Sequence, residues 1–590
     1  MSDEKVISNT EQTRTTYRPP ARGKKHMAVS GHALATHAAM RVLDKGGNAV
    51  DAGVAGTFCL AVLQPDMVSF AGVAPLLIHH APSEESREVS GVGCWPELAS
   101  TEFFVRNHAG KLPPGILRTV VPALPDACIR ALRQYGSMSF AEVAADALDL
   151  AAGGFPVHQF LANGIRESQD SYRLWPENRA IFLPDDQVPE TGTLFVQSDL
   201  GGTIERMIEA ERNALARGGS RDAALAAARD EFYTGGVGRT ITDFHEANGG
   251  LLRQKDMAGF SCDVGEPLAF EFGEYTVLTH NAWCQGPVMP MAMNILSGMN
   301  TAAMGHNSPE YIHCLAEALK LAFADRERLF GDPKFVDVPL AGLLSPEYGA
   351  KQRERIRPGE AWAAMPASGD PFAAEGRPAP ASFDPNSDPD AKMEAEHALD
   401  TSYICVADQW GSFFSSTPSD MSFNTQVIPG TGLAVSSRGS QSWVVPGHPS
   451  SIEPGKRPRL TPTGCMVLRK GEPWMILGTP GGDTQCQTNL QVLFNVVLFG
   501  MDPQEAVEAP RFGVFCYPGS FYPHTYTKGV LRLESRIAAE TARTLASWGH
   551  VLQPWPDWAW KAGGACMILR DGRRITGGAD PRRECCGMAW

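Results

Sequence analysis

Several signatures are missing from this chain, and each absence removes a class of function. No apolar run in the 590 residues approaches the roughly 20 that a membrane-spanning helix needs. Acidic residues outnumber basic ones, 66 to 52, giving a formal charge of −14. That balance argues against nucleic acid as the main partner, because phosphate binding needs a clustered basic face. Neither Cys-x-x-Cys nor His-Glu-x-x-His occurs, which speaks against structural zinc and a zinc protease. The 13 cysteines are odd in number and scattered, so buried free thiols are expected rather than a disulfide framework. No Gly-Lys-Ser/Thr follows the glycine-rich turn near residue 480, so that turn is not a phosphate loop. No metal or cofactor is called for. The first 26 residues lack the apolar centre of a secretory leader and read as a flexible arm. A cytoplasmic location is the expectation.

What is present points to a large α+β core. Hydrophobic residues make up 43% of the chain, enough to bury a substantial interior. HALATHAAMRVLDKGGNAVDAGVAGTFCLAVLQP, residues 32–65, predicts two helices split at Gly46–Gly47, with Asn48 capping the second. Amphipathic stretches at 140–151 and 204–229, and PEYIHCLAEALKLAFADRERLF at 309–330, predict further helices. Residues 357–393 then fill with Pro, Ala, Gly, Ser and Asp and lose apolar periodicity, the texture of a mobile linker. At Thr401 the texture turns to strand: TSYICVAD, a DQWG turn, then SFFSST. A turn centred on Gln409–Trp410 places Thr401 opposite Pro418, with Thr417 and Ser419 beside it. Further on, a strand at Trp474–Leu477 runs into a glycine-rich turn and a helix from about Thr484. The adjacent Gly481 and Gly482 can turn their N–H groups outward there, where a negative oxygen could be held.

A linker ending at a strand whose first residue is threonine suggests chemistry. At a chain start, threonine supplies a hydroxyl nucleophile and, in its own α-amine, a base with a pKa of about 7.7–8.0. Thr401 is internal, so cutting Asp400–Thr401 is required. β-branching stiffens the side chain and helps aim the hydroxyl. The competing reading is an ordinary strand threonine after a surface loop.

The chain resembles the γ-glutamyltransferase family of N-terminal nucleophile hydrolases over nearly its whole length. The matching stretches are residues 32–55, 319–349, PGKRP at 454–458, GTPGGDTQ at 478–485, 490–512 and GGADPRR at 577–583. The resemblance implies a four-layer αββα sandwich, with a large subunit 27–400, including the linker to 400, and a small subunit 401–590 sharing one core. It implies self-cleavage at Asp400–Thr401, with Thr401 as nucleophile, Ser419 as its hydroxyl partner and Gly481 and Gly482 as the oxyanion hole. An αβ heterodimer would follow, and whether two of these pair into (αβ)2 is left open.

The pattern breaks where the family grips glutamate. Val92 falls at the family's arginine position, Ser440 and Gln441 stand where acids are expected, and the paired serines after KRP are missing. A charged ammonium or carboxylate buried without its partner costs several kcal/mol. The substrate-facing set is therefore Val92, Cys94, Trp95, Arg438, Ser440, Gln441 and Asp483, with Trp443 and Arg459 as further replacements. Such a pocket suits an aromatic or aliphatic acyl group, with or without one carboxylate. The expected partner is a small-molecule amide, hydrolysed through an acyl-Thr401 intermediate. γ-Glutamyl transfer, carbon–carbon bond hydrolysis and an uncleaved binding protein are the alternatives.

Overall fold

In a computed structural model, residues 16–380 and 401–590 are described. Two seven-stranded sheets form the middle of the molecule. One runs, in spatial order, Cys586–Ala589, Met27–Ser30, Ile404–Ala407, Phe413–Ser416, Leu76–His80, Glu85–Val89 and Val264–Gly265. The other runs Ala21–Gly23, Arg574–Ala579, Cys566–Asp571, Glu472–Gly478, Gly464–Arg469, Tyr275–Thr279 and Leu268–Phe272. Both sheets contain strands from before and from after residue 400, so the regions 16–380 and 401–590 share one core.

Period-two alternation decides which face of each strand meets which layer. Tyr403, Cys405, Ala407 and Phe413 point between the sheets, against Met466, Ile476 and Ile568. Ile404, Val406 and Phe414 point outward, onto helices. The helix Ala49–Leu63 lies directly on that hairpin and is buried along its whole length. Two glycines allow the approach: a Cβ on Gly53 would sit 1.9 Å from the Phe414 ring, and one on Gly56 2.2 Å from Ile404. On the far side, the helices Val288–Leu296, Pro309–Leu329 and Gln485–Val497 cover the second sheet through Val277, Cys465, Val467 and Leu477. The result is the expected αββα sandwich.

The predicted helix break at Gly46–Gly47 is present, and Asn48 caps the second helix in a reciprocal capping box with Asp51. The 204–229 stretch is two helices, Ser198–Ala216 and Arg221–Tyr233. Gly218, at φ 84°, turns the chain between them. Two expectations are corrected. Within the supposed N-terminal arm, Ala21–Gly23 is an edge strand paired to Arg574–Ala579. Within the supposed linker, residues 357–380 pack on the fold. Trp362 exchanges bonds with Glu317 and Lys320, Gly369 N–H donates to Asp325, and Phe372 is buried. Buried polar side chains of the Pro309–Leu329 helix anchor this segment, so it needs no apolar periodicity of its own. The remainder of the predicted linker and the scissile Asp400 lie outside the described residues. All 13 cysteines are free, and no helix among the described residues is long and apolar enough to cross a membrane.

Candidate active site

Thr401 stands at the head of the Ile404–Ala407 strand and is 1% exposed. Ile404 pairs with Ser416, and Ser402 N–H donates to Pro418 O at 3.0 Å. Thr401 therefore lies across from Ser419, one residue beyond the sequence estimate. The reason is a longer turn: Asp408 accepts N–H bonds from Trp410 and Ser412, both at 2.9 Å, and Gly411 takes φ 104°. The extra residue shifts the register. Thr401 Oγ1 is 2.6 Å from Ser419 Oγ.

Backbone groups fix these two residues. Thr401 N–H and Asp420 N–H both donate to Met67 O, at 3.2 and 3.0 Å. Ser419 N–H donates to Val73 O at 2.9 Å, and Arg583 Nη1 reaches Thr401 O at 3.4 Å. Thr401 has φ 96° and Asp420 φ 133°, left-handed values that a residue with a Cβ adopts at a cost of about 1–3 kcal/mol.

The glycine turn follows Glu472–Gly478, a strand of the sheet that packs against Tyr403. Gly478 ends its strand against the Tyr403 ring, where a Cβ would be 2.1 Å away. Gly481 (φ 133°) and Gly482 (φ 55°) then lead into the helix Gln485–Val497. Neither glycine N–H makes a hydrogen bond among the described residues. A helix start with outward N–H groups carries positive potential. The turn is tied back to Thr401, because Gly564 N–H donates to Thr479 Oγ1 at 2.9 Å and Gly564 packs on the side chain of Arg583.

Beside Ser419 sits a buried cation. Arg438 donates to Ser419 Oγ, lies 3.7 Å from Asp420 Oδ2 and stacks over the Phe521 ring at 5.3 Å. Asp420 also accepts from Ser436 Oγ at 2.5 Å, from Ser437 N at 2.9 Å and from Ser437 Oγ at 3.0 Å.

The sequence profile described as Gamma-glutamyltranspeptidase matches residues 35–590. The chain belongs to the gamma-glutamyltranspeptidase family. It is 30% identical over 565 residues to the glutathione hydrolase-like YwrD proenzyme of Bacillus subtilis, covering 95% of this chain and 98% of that one. It is 30% identical over 561 residues to the acylase ACY 1 proenzyme of a Pseudomonas species, covering 91% and 88%. The crystal structure of cephalosporin acylase from Bacillus halodurans superposes with a TM-score of 0.83 at 25% identity, covering 99% of each chain. The chain is accordingly an N-terminal threonine hydrolase of this family, with relatives that are made as proenzymes.

Some predicted site residues come together and others do not. Thr401, Ser419 and Arg438 form one bonded cluster. Thr417 lies along the same segment, but its hydroxyl has no partner and no bond links it to Thr401. Val92 is buried in an apolar knot with Val73, Trp283, Cys284 and Leu460. Trp95 supports the turn from beneath, donating to Ser442 Oγ at 2.9 Å and filling the space against Gly439. Ser440 Oγ is buried without a partner, while Gln441 donates to Thr461 Oγ1 at 2.9 Å and its Oε1 has none. Burial pushes the Cys94 thiol up to about 11, leaving it unreactive at neutral pH.

Asp483 needs a correction. It was assigned to substrate, yet Arg326 and Ser520 occupy it: Arg326 Nη1 at 2.5 Å, Ser520 Oγ at 2.6 Å and Ser520 N at 2.9 Å. Arg459 pairs with Glu327 at 3.0 Å, and Trp443 is stacked between His448 and His524. These residues brace the glycine turn and the 518–524 loop from behind. Sequence reading missed Met67, Arg583 and Phe521, and left Asp420 unassigned. Only Arg583 carried a signal, inside the matched GGADPRR stretch.

Two His/carboxylate groupings lie elsewhere, His32–His158–Glu584 and His313–Glu317–His550. Their bonds are explained without an ion. His158 is engaged by Glu584 and Leu63 O, His313 Nδ1 by His550 Nε2 at 2.9 Å, and Glu317 by Lys320 at 2.7 Å.

Proposed function

We propose that this chain is a self-cleaving acylase that hydrolyses the amide of a small, non-glutamyl acyl group, with Thr401 as nucleophile. The observation that carries the reading is the 2.6 Å contact between Thr401 Oγ1 and Ser419 Oγ at a strand head.

The strained φ of Thr401 describes rotation about its N–Cα bond in the intact chain. Cutting the preceding peptide bond removes that torsion and its cost, which favours cleavage there. The freed α-amine then serves as base. Arg438 is donor-only, so Ser419 Oγ accepts from it. The Ser419 proton is left to donate to Thr401 Oγ1, and the Thr401 proton turns toward the amine. Attack forms the Oγ–acyl bond, the hydroxyl proton passes to the amine, and the carbonyl oxygen becomes an oxyanion at the Gly481 and Gly482 N–H groups. Collapse breaks the C–N bond as the ammonium protonates the leaving amine. Water repeats the sequence on the ester and restores the hydroxyl. An oxyanion donor of this kind contributes about 10²–10³ in kcat.

The non-glutamyl assignment rests on charge. A γ-glutamyl group brings an α-ammonium that needs a carboxylate. Asp420 is already engaged by Ser436, Ser437 and Arg438. Val92 offers no charge, and the buried Arg438 repels an ammonium. The same cation favours an acyl group carrying one carboxylate, with the Phe521 ring beside it.

Intact mass of wild type beside Thr401→Ala is the first test. Two wild-type fragments split at Asp400–Thr401, with an uncut variant that hydrolyses nothing, are expected; an uncut wild type removes the base and the mechanism with it. A panel of acyl anilides then reads specificity. Carboxylate-bearing aromatic or aliphatic acyl groups should exceed γ-glutamyl-p-nitroanilide by about 100-fold in kcat/KM. A preference for the γ-glutamyl compound would overturn the substrate assignment while leaving the nucleophile intact.

A further inference from the structure

Asp66 is completely buried, and neither of its carboxylate oxygens has a hydrogen-bond partner outside its own residue. Buried polar groups are almost always paired, and an orphan costs about 1–3 kcal/mol. Its place in the chain suggests the missing partner. Asp66 sits in the turn Gln64–Met67, closed by Met67 N–H on Gln64 O at 2.9 Å. The same turn meets the start of the Thr401 strand at two points. Met67 O takes the Thr401 N–H at 3.2 Å. Gln64 Oε1 and Ser402 Oγ share the space off Gly31, lying 3.4 and 2.3 Å from where its Cβ would be. Gln64 Oε1 is itself an orphan acceptor. Orphan acceptors thus occur at two positions of the turn whose Met67 O holds the backbone nitrogen of Thr401, which in the uncut chain has a single N–H to give.

We propose that the Gln64–Met67 turn is the receptor for the α-ammonium of Thr401 in the cleaved protein, with Asp66 as its counter-ion. This rests on the cleavage proposed above. Cutting turns one N–H into a group with up to three donors, one kept by Met67 O. Asp66 would then be a positioning residue behind the base. When the Thr401 hydroxyl proton passes to the amine, the ammonium forms beside a carboxylate, and the same proton leaves with the departing amine.

The charged surroundings allow this. His158, Arg583, Glu584 and Tyr172 are the titratable groups that interact with Asp66. Arg583 also reaches Thr401 O, and the Asp420–Arg438 pair lies on the Ser419 side. Burial pushes the Asp66 carboxyl up to about 7, with Glu584 adding to it and His158 and Arg583 opposing. A carboxyl held protonated for want of a donor ionises once an ammonium arrives. An opposite charge within about 4–6 Å raises an amine's pKa by about 1–3 units.

The test compares cleaved wild type with Asp66→Asn, using Asp66→Ser as a second variant should the first not fold. The pH dependence of N-terminal acetylation by acetic anhydride, read by mass spectrometry on the small fragment, gives the amine pKa. The acid limb of kcat/KM reports the same group in the free enzyme. Removing the carboxylate should lower both by about one unit or more, and the plateau rate about ten-fold. A folded, cleaved variant whose amine pKa stays within about 0.3 of wild type overturns the proposal. So does a folded variant that stays uncut, since that places Asp66 before the cut. An uncut wild type, visible in the same spectra, would instead overturn the cleavage itself.

Discussion

The two sides of the Thr401 centre are built from different materials. Around Thr401 the positioning groups are mostly backbone: Met67 O holds Thr401 and Asp420, and Val73 O holds Ser419. In the region that the proposed function gives to the acyl group they are side chains: Arg438 on Ser419 and Asp420, Trp95 on Ser442, Gln441 on Thr461. A backbone-built site changes only if the chain path changes, and that path is set by two sheets and the helices packed on them. A side-chain-built site changes with single substitutions. On the function proposed above, this is how a chain would keep its family's reaction centre while changing the acyl group it takes.

Three experiments would break or sharpen that contrast. The largest effect is expected at the glycine turn. A Cβ on Gly481 would meet Thr484 Oγ1 at 2.3 Å, and φ 133° is strained for alanine. Gly481→Ala should lower kcat about 10²–10³-fold with every substrate alike. A substrate-dependent loss would mean the turn also reads the acyl group.

Arg438→Gln should act selectively. Loss of a charge-assisted bond costs about 1.5–3 kcal/mol. kcat/KM for carboxylate-bearing acyl amides should therefore fall about 100-fold, and for uncharged ones about ten-fold through the lost support of Ser419. Equal losses on both classes would place Arg438 with the hydrolytic side.

The third effect is on stability rather than rate, measured on uncut Thr401→Ala protein by urea unfolding. Asp66 has its folded-state value raised from 3.8 to about 7 by burial. Its protonated form is favoured in the fold, so the contribution is fully present below about pH 4 and is lost as pH rises to about 7. The loss is at most roughly 1.4 kcal/mol per pH unit across that window. Thr401→Ala/Asp66→Asn should lack this component. An unchanged pH profile would mean Asp66 is already satisfied in the uncut chain.

Local pattern made much of this molecule legible. The capped helix after Gly46–Gly47, the hairpin from Thr401 and the strand–turn–helix around Gly481 each carry their signal within a few residues: a cap, a period of two, paired glycines. The hairpin register was off by one, because Asp408 stabilises a longer turn than the DQWG motif alone suggests. Residues 357–380 were misjudged for a related reason. Their order comes from Glu317, Lys320 and Asp325 on a distant helix, and composition reports only a segment's own apolar content. Asp483 was misassigned because its partners, Arg326 and Ser520, are far away in sequence.

By itself, then, the amino-acid sequence determined the strand that Thr401 heads and the glycine turn, since these follow from periodicity and turn chemistry over short spans, while the αββα architecture was legible only through the family resemblance. Tertiary structure alone decided which polar groups are engaged: that Asp420 is paired with Arg438, that Asp483 is bound to Arg326, and that Asp66 is buried in the turn whose Met67 O holds the Thr401 nitrogen. Whether these buried charges are satisfied depends on groups 16 to 157 residues away, beyond the reach of a turn motif or a strand period.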